Sequence, residues 1–111
     1  MSGQDLVLLL REQRALLIDT VQAMKVIGRQ LAQATKEYKI ALRKEILRLR
    51  VEDGVAWTAC YDLALGDEEV AELRFKRDIK QSDYDVCIEK INSLKLEIRL
   101  LEGEIKQEWG A

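Results

Sequence analysis

At 111 residues, with hydrophobic side chains at 48 % and charged ones at 34 %, the chain fits one domain at most and has neither a disordered nor a membrane-like composition. Its 18 basic and 20 acidic residues leave a net charge of -2, so any pull toward nucleic acid has to be local. There is no His, which excludes His-based acid–base catalysis, His metal ligands and a Ser-His-Asp triad; the absence of Pro and a Gly count of only 6 favour long helices.

Ser2 followed by Asp5 has the pattern of a helix-starting capping box, with Asp in place of Glu. From about residue 4 to residue 50 only Gly28 interrupts the helix formers, and it predicts a close helix contact or a mild kink. Leu10, Leu17, Met24, Ile27, Leu31, Ala34, Tyr38, Leu42, Ile46 and Leu49 fall on one face in steps of three, four and seven. At about 1.5 Å per residue the helix is roughly 65 to 70 Å long. "LVLLL" (residues 6–10) is far short of the roughly 20 apolar residues a spanning helix needs. It precedes rather than follows a basic residue, unlike a secretory signal, and reads as helix core.

Glu52-Asp53-Gly54 stops this helix. "VAWTACYDLALG" (residues 55–66) predicts a short helix capped by Thr58 and ended by Gly66. Asp67, Glu68 and Glu69 then supply negative charge to the start of a last helix, expected over 67–108. Its repeat is a coiled-coil heptad: Tyr84, Cys87, Ile91, Leu94, Ile98, Leu101 and Ile105, with Ile mostly at a and Leu mostly at d. Val70 and Leu73 keep the same register. Arg77 and Lys80 occupy core positions of that repeat and are the exceptions.

Two long helices joined by a compact turn predict an all-α fold: one domain over 1–111, a long antiparallel coiled-coil-like hairpin with a short helical turn segment at 51–66. Pairing residues whose numbers sum to roughly 117 places Arg77 near Ile40 and Lys80 near Glu37. Trp57, Leu63 and Leu65 are expected to cap the turn end. Second apolar stripes remain. Phe75, Ile79, Val86 and Leu100 lie about 100° round from the heptad seam. Ile40, Leu47 and Val51 lie opposite the main stripe of the first helix, and Leu6 to Ile18 is apolar nearly all round. Such faces predict a homo-oligomeric helical bundle. The candidate interface residues are Leu8, Ile18, Ile40, Leu47, Phe75, Ile79, Val86 and Leu100.

Residues 36–50 hold six basic and two acidic side chains, and residues 73–80 hold four and one. In a hairpin, Lys36, Lys39, Arg43, Lys44, Arg74, Lys76, Arg77 and Lys80 are candidates for one positive zone, able to bind an acidic protein partner or the phosphates of nucleic acid. Residues 51–72 carry seven acidic and no basic side chains, and neutralising the zone within or between subunits is the competing expectation. Arg77 and Lys80 are then read as snorkelling while the seam shifts to Phe75 and Ile79.

Cys60 and Cys87 each lie among apolar neighbours and read as small buried hydrophobes in a reducing compartment. Glu68-Glu69-Val70-Ala71-Glu72 resembles the first motif of the MazG-type nucleotide pyrophosphohydrolases, which hold Mg²⁺ through carboxylates. The matching second motif is incomplete, since Glu89-Lys90-Ile91-Asn92 ends in Asn and falls on the same helix. A divergent nucleotide hydrolase using Glu68, Glu69 and Glu72 is therefore the alternative reading. The WXG-type secretion substrates place Trp-x-Gly in their turn; here the turn reads Trp57-Thr58-Ala59, so that pattern is not met. No Gly-rich phosphate loop, nucleophile elbow or Cys-x-x-Cys motif occurs. No cofactor or metal is expected.

With "DLALGDEEVAELRFKRDI" (residues 62–79), "EYKIALRKEILRLR" (37–50) and "LKLEIRLLEGEIKQEW" (94–109), the chain resembles a group of small helical proteins of phages and prophages of Gram-positive bacteria, encoded among early recombination and replication genes. The resemblance implies a host-cytoplasmic setting and work beside DNA metabolism or host defence; the composition and the short apolar run predict no membrane partner. The expected function is non-enzymatic: an oligomer that binds a host or phage protein, or nucleic acid.

Overall fold

The computed structural model describes residues 2–110. It is all-α, with α1 at Gly3–Val51, α2 at Trp57–Leu65 and α3 at Glu68–Trp109. No strand occurs among the described residues. The helix ends follow the sequence expectation to within a residue or two.

The caps explain where each helix begins. The Ser2 hydroxyl accepts from Asp5 N–H at 3.2 Å, and Asp5 Oδ2 accepts from Ser2 N–H at 3.3 Å. This is the expected reciprocal box. The same hydroxyl donates to Asp5 Oδ2 at 2.8 Å; these bonds hold the Asp5 carboxyl below its usual range. For α3 the cap is Asp67, whose Oδ2 accepts from Val70 N–H at 3.1 Å while its carbonyl accepts from Ala71 N–H. Thr58 does not cap α2. That role falls to Ala56, in extended backbone and with no side-chain bond, because the helix starts at Trp57, one residue ahead of Thr58.

The turn after α1 depends on Gly54, whose φ of +67° lies in the left-handed region that a side chain disfavours. It lets Val55 N–H reach back to the Leu49 carbonyl at 3.0 Å. Arg48 fastens the same corner. Its Nε and Nη2 grip Glu45 at 3.0 and 2.7 Å, and its Nη1 reaches Asp53 at 3.2 Å. This pairing lowers the Glu45 pKa and raises that of Arg48.

Contacts divide the chain into two compact units, through both of which α1 and α3 run. Unit 1 comprises Met1–Val26 and Tyr84–Ala111, and unit 2 comprises Ile27–Asp83. Each contains antiparallel segments of α1 and α3, the coiled-coil-like pairing that the sequence predicts.

Unit 1 has an aliphatic core of Leu6, Leu10, Ile98 and Leu101, with Leu9, Leu17 and Ile105 packed against it. Ile91 and Leu94 are also buried, in the predicted register. Thr20 is the one buried polar residue among those described; its hydroxyl is satisfied by donating to the Leu16 carbonyl at 2.7 Å. Arg14 and Glu102 form an exposed pair at 3.8 Å. Trp109 folds against Gly3, where any larger residue would collide with the indole.

Unit 2 adds α2. Leu49, Cys60 and Ala64 form its buried cluster, joined by Leu42, Ile46 and Val55, and Val70 is buried at the start of α3. Cys60 is the small buried hydrophobe expected, whereas Cys87 is only half-buried. The end-caps differ from expectation: Trp57 and Leu63 are exposed, and Cys60 and Ala64 face inward instead.

The seam of α3 in this unit also departs from the snorkelling expectation. It does not shift to Phe75 and Ile79, which are exposed. The heptad continues through Arg77 and Lys80, both half-buried. Arg77 lies 4.8 Å over the ring of Tyr38, with Nε donating to Asp78 at 2.8 Å, and Lys80 Nζ donates to Gln30 Oε1 at 2.9 Å. The direct partners are Tyr38 and Gln30, and Lys80 also lines a groove with Glu37, as the pairing predicts. A guanidinium gains from an aromatic face and an ammonium from a neutral acceptor.

Candidate functional site

The outward positions of α1 change character along its length. Taken every seventh residue they read Leu8, Ala15 and Gln22 in unit 1, all uncharged, then Arg29, Lys36, Arg43 and Arg50 in unit 2. Seven residues are nearly two helical turns, so the four cations stand in one row. All but Arg50 are exposed, while Tyr38 and Leu49 of the same segment are buried. The cations therefore lie on the side of α1 away from its core contact.

Positions beside this row are apolar. Ile40 and Leu47 are exposed and one heptad apart. The turn at Gly54 brings α2 back along α1, and its outer side carries Trp57 and Tyr61, one helical turn apart and both more than half exposed (57 % and 52 %). Arg50 lies 5.4 Å over Trp57 and donates to the Val55 carbonyl at 3.3 Å, which fixes the indole at the helix corner. Together Ile40, Leu47, Trp57 and Tyr61 line an open groove whose cationic members are Lys39 and Arg43.

The eight basic residues singled out in the sequence divide among several settings. Lys39 and Arg43 border the groove just described, and Lys36 is exposed one turn before it. Lys44 lines a separate groove with Glu37 and Glu69. Lys76 and Lys80 line another with Gln30, Ala34 and Glu37. Arg74 is exposed on α3, and Arg77 is taken up by the seam. Acidic side chains thus share the setting of Lys44, Lys76 and Lys80, while the groove between α1 and α2 has no acidic lining among the described residues.

Of the eight candidate interface residues, Leu8, Ile18, Val86 and Leu100 are exposed in unit 1, and Ile40, Leu47, Phe75 and Ile79 in unit 2. Phe75 falls at f of the heptad and Ile79, Val86 and Leu100 at c, nearer the far side of α3 than the 100° expected. Ile40 and Leu47 belong to the basic groove.

Glu68, Glu69 and Glu72 are exposed and line an open acidic groove with Asp67, Glu45 and Lys76. Among the described residues no three acidic or Cys side chains are grouped to hold a metal ion, and no helix is long and apolar enough to cross a membrane. Tyr61, and Trp57 as an exposed groove residue, escaped the sequence reading. Their four-residue spacing directly after a left-handed Gly turn is the signal that places them together.

Comparison with protein-family models, curated proteins and solved structures finds no match.

Proposed function

We propose that the chain is a non-enzymatic helical-hairpin binding protein that assembles with copies of itself. The observation that carries this reading is the outer surface of unit 1. Leu8, Ile18, Val86 and Leu100 are 56, 61, 63 and 56 % exposed, although each is large and apolar. Water-exposed apolar surface on this scale favours a second subunit, since burying each side chain stabilises by about 1.5 to 3 kcal/mol.

Self-assembly leaves the cationic groove of unit 2 for a different molecule, and binding is the activity this arrangement supports. The phage or prophage setting, beside replication, recombination or host defence, rests on the sequence resemblance alone.

Light scattering of the full chain tests the assembly. A mass at least twice 12.8 kDa is expected. Val86→Glu with Leu100→Glu is expected to return it to a single chain while circular dichroism keeps its helical signal. A wild-type chain that scatters as 12.8 kDa at micromolar concentration overturns the proposal.

A further inference from the structure

We propose that the groove between α1 and α2 docks an amphipathic helix of another protein, one that presents acidic side chains beside an apolar row. This site is distinct from the unit 1 surface on which self-assembly rests, and neither reading depends on the other.

The apolar part has the spacing that receives a helix. Ile40 and Leu47 stand one heptad apart on α1, and Trp57 and Tyr61 stand one turn apart on α2. A helix laid between two helices offers anchors at i, i+3 or i+4, and i+7, which matches a trough of this kind. Trp and Tyr are also the side chains that most often dominate such contacts, because they bury large rigid areas.

Charge identifies the occupant. Lys39 and Arg43 border the apolar row, with Lys36 one turn earlier, and none of the three has a hydrogen bond or ion pair among the described residues. Other cations of this unit are held or stand beside acidic side chains: Arg48 pairs with Glu45 and Asp53, Arg77 with Asp78 and Tyr38, Lys80 with Gln30, and Lys44 and Lys76 share grooves with Glu37, while Arg29 and Arg74 are exposed away from the apolar groove. Unpaired cations beside exposed apolar side chains complement an acidic, apolar-striped surface. Two copies of the groove meeting symmetrically would oppose Lys39 and Arg43 to like charges, which disfavours that pairing. Nucleic acid fits less well, because Lys39 and Arg43 are the only cations among eight lining residues, and Ile40, Leu42, Ile46 and Leu47 offer phosphates nothing to bind.

The test uses the full chain carrying Trp109→Phe, so that Trp57 is the sole indole. It is titrated with a synthetic helix-forming peptide that has Leu every third and fourth residue and Glu between. The comparison probes are a scrambled peptide of equal composition, single-stranded and duplex DNA oligonucleotides, and vesicles of phosphatidylserine with phosphatidylcholine. The amphipathic peptide is expected to move Trp57 emission to shorter wavelength and to bind at least about tenfold more tightly than the scrambled one. Arg43→Glu and Leu47→Ser are each expected to weaken it by about tenfold or more with helix content unchanged. Equal binding of the two peptides, indifference to both substitutions, or tighter binding of DNA or vesicles overturns the proposal. So does a loss of oligomer mass in Leu47→Ser, which would assign the groove to a second copy. The Val86 and Leu100 variants address the separate assembly claim, so the two can fail independently.

Discussion

The two units use one heptad spacing and fill it differently. Unit 1 stacks Leu6, Leu10, Ile98 and Leu101 in a seam whose stability is almost wholly apolar burial. Unit 2 places Tyr38, Arg77 and Lys80 in the same kind of seam, with Lys80 reaching the exposed Gln30, and makes up its core with a third helix. A purely aliphatic seam tolerates more than one alignment, whereas a ring under a guanidinium and an amide under an ammonium each accept few. Unit 1 is therefore expected to supply cohesion, and unit 2 to fix register.

Removing volume from the aliphatic seam breaks this comparison most severely. Leu101→Ala is expected to destabilise by about 2 to 5 kcal/mol, read as a fall in urea midpoint, with faster hydrogen exchange concentrated in residues of unit 1. Exchange that speeds up equally in both units would show that they do not differ in this way. A smaller loss, about 1 to 2 kcal/mol, is expected for Gly54→Ala, because Ala resists the left-handed backbone that the turn of unit 2 requires.

Making unit 2 resemble unit 1 sharpens the comparison from the other side. Arg77→Leu with Lys80→Leu is expected to raise stability by about 1 kcal/mol, since apolar burial outweighs the lost stack and the lost amide bond. Multiple bands or masses in native electrophoresis would then report loosened register. A single species of lower stability would refute the assignment of register to these residues.

The smallest effect concerns pH. Arg48 holds the Glu45 carboxyl below its ordinary value near 4.5. A lowered folded-state pKa gives stability that is present above the unfolded value and disappears as pH falls through the folded one. The difference in melting temperature between wild type and Glu45→Gln is therefore expected in full at neutral pH, to begin shrinking near pH 4.5, and to vanish only once pH falls through the lower folded value. The pair is solvent-exposed, so the difference is small.

Much of this is legible in the sequence. Three- and four-residue spacing identifies the helices, and Ile91, Leu94, Ile98 and Leu101 are buried where the heptad places them. Arg77 and Lys80 stand out as anomalies, but not as seam residues. Periodicity ranks positions by hydropathy, and the Tyr38 face and the Gln30 amide that hold these cations come from another helix. Trp57 and Leu63 are misplaced when apolarity is taken for burial, whereas the residues α2 buries are Cys60 and Ala64. The groove is harder still to see, since Ile40 and Leu47 read as an oligomer stripe until α2 puts Trp57 and Tyr61 beside them.

The division of contacts also sets an order of folding events. In unit 2 the cluster of Leu49, Cys60 and Ala64 joins residues close along the chain, so its closure costs little entropy. In unit 1, Leu6 and Leu101 meet from nearly opposite ends. The hairpin corner at Gly54 is thus expected to form early, and the expected outcome is that substitutions at Cys60 slow refolding while those at Leu6 mainly hasten unfolding, as stopped-flow folding kinetics would read.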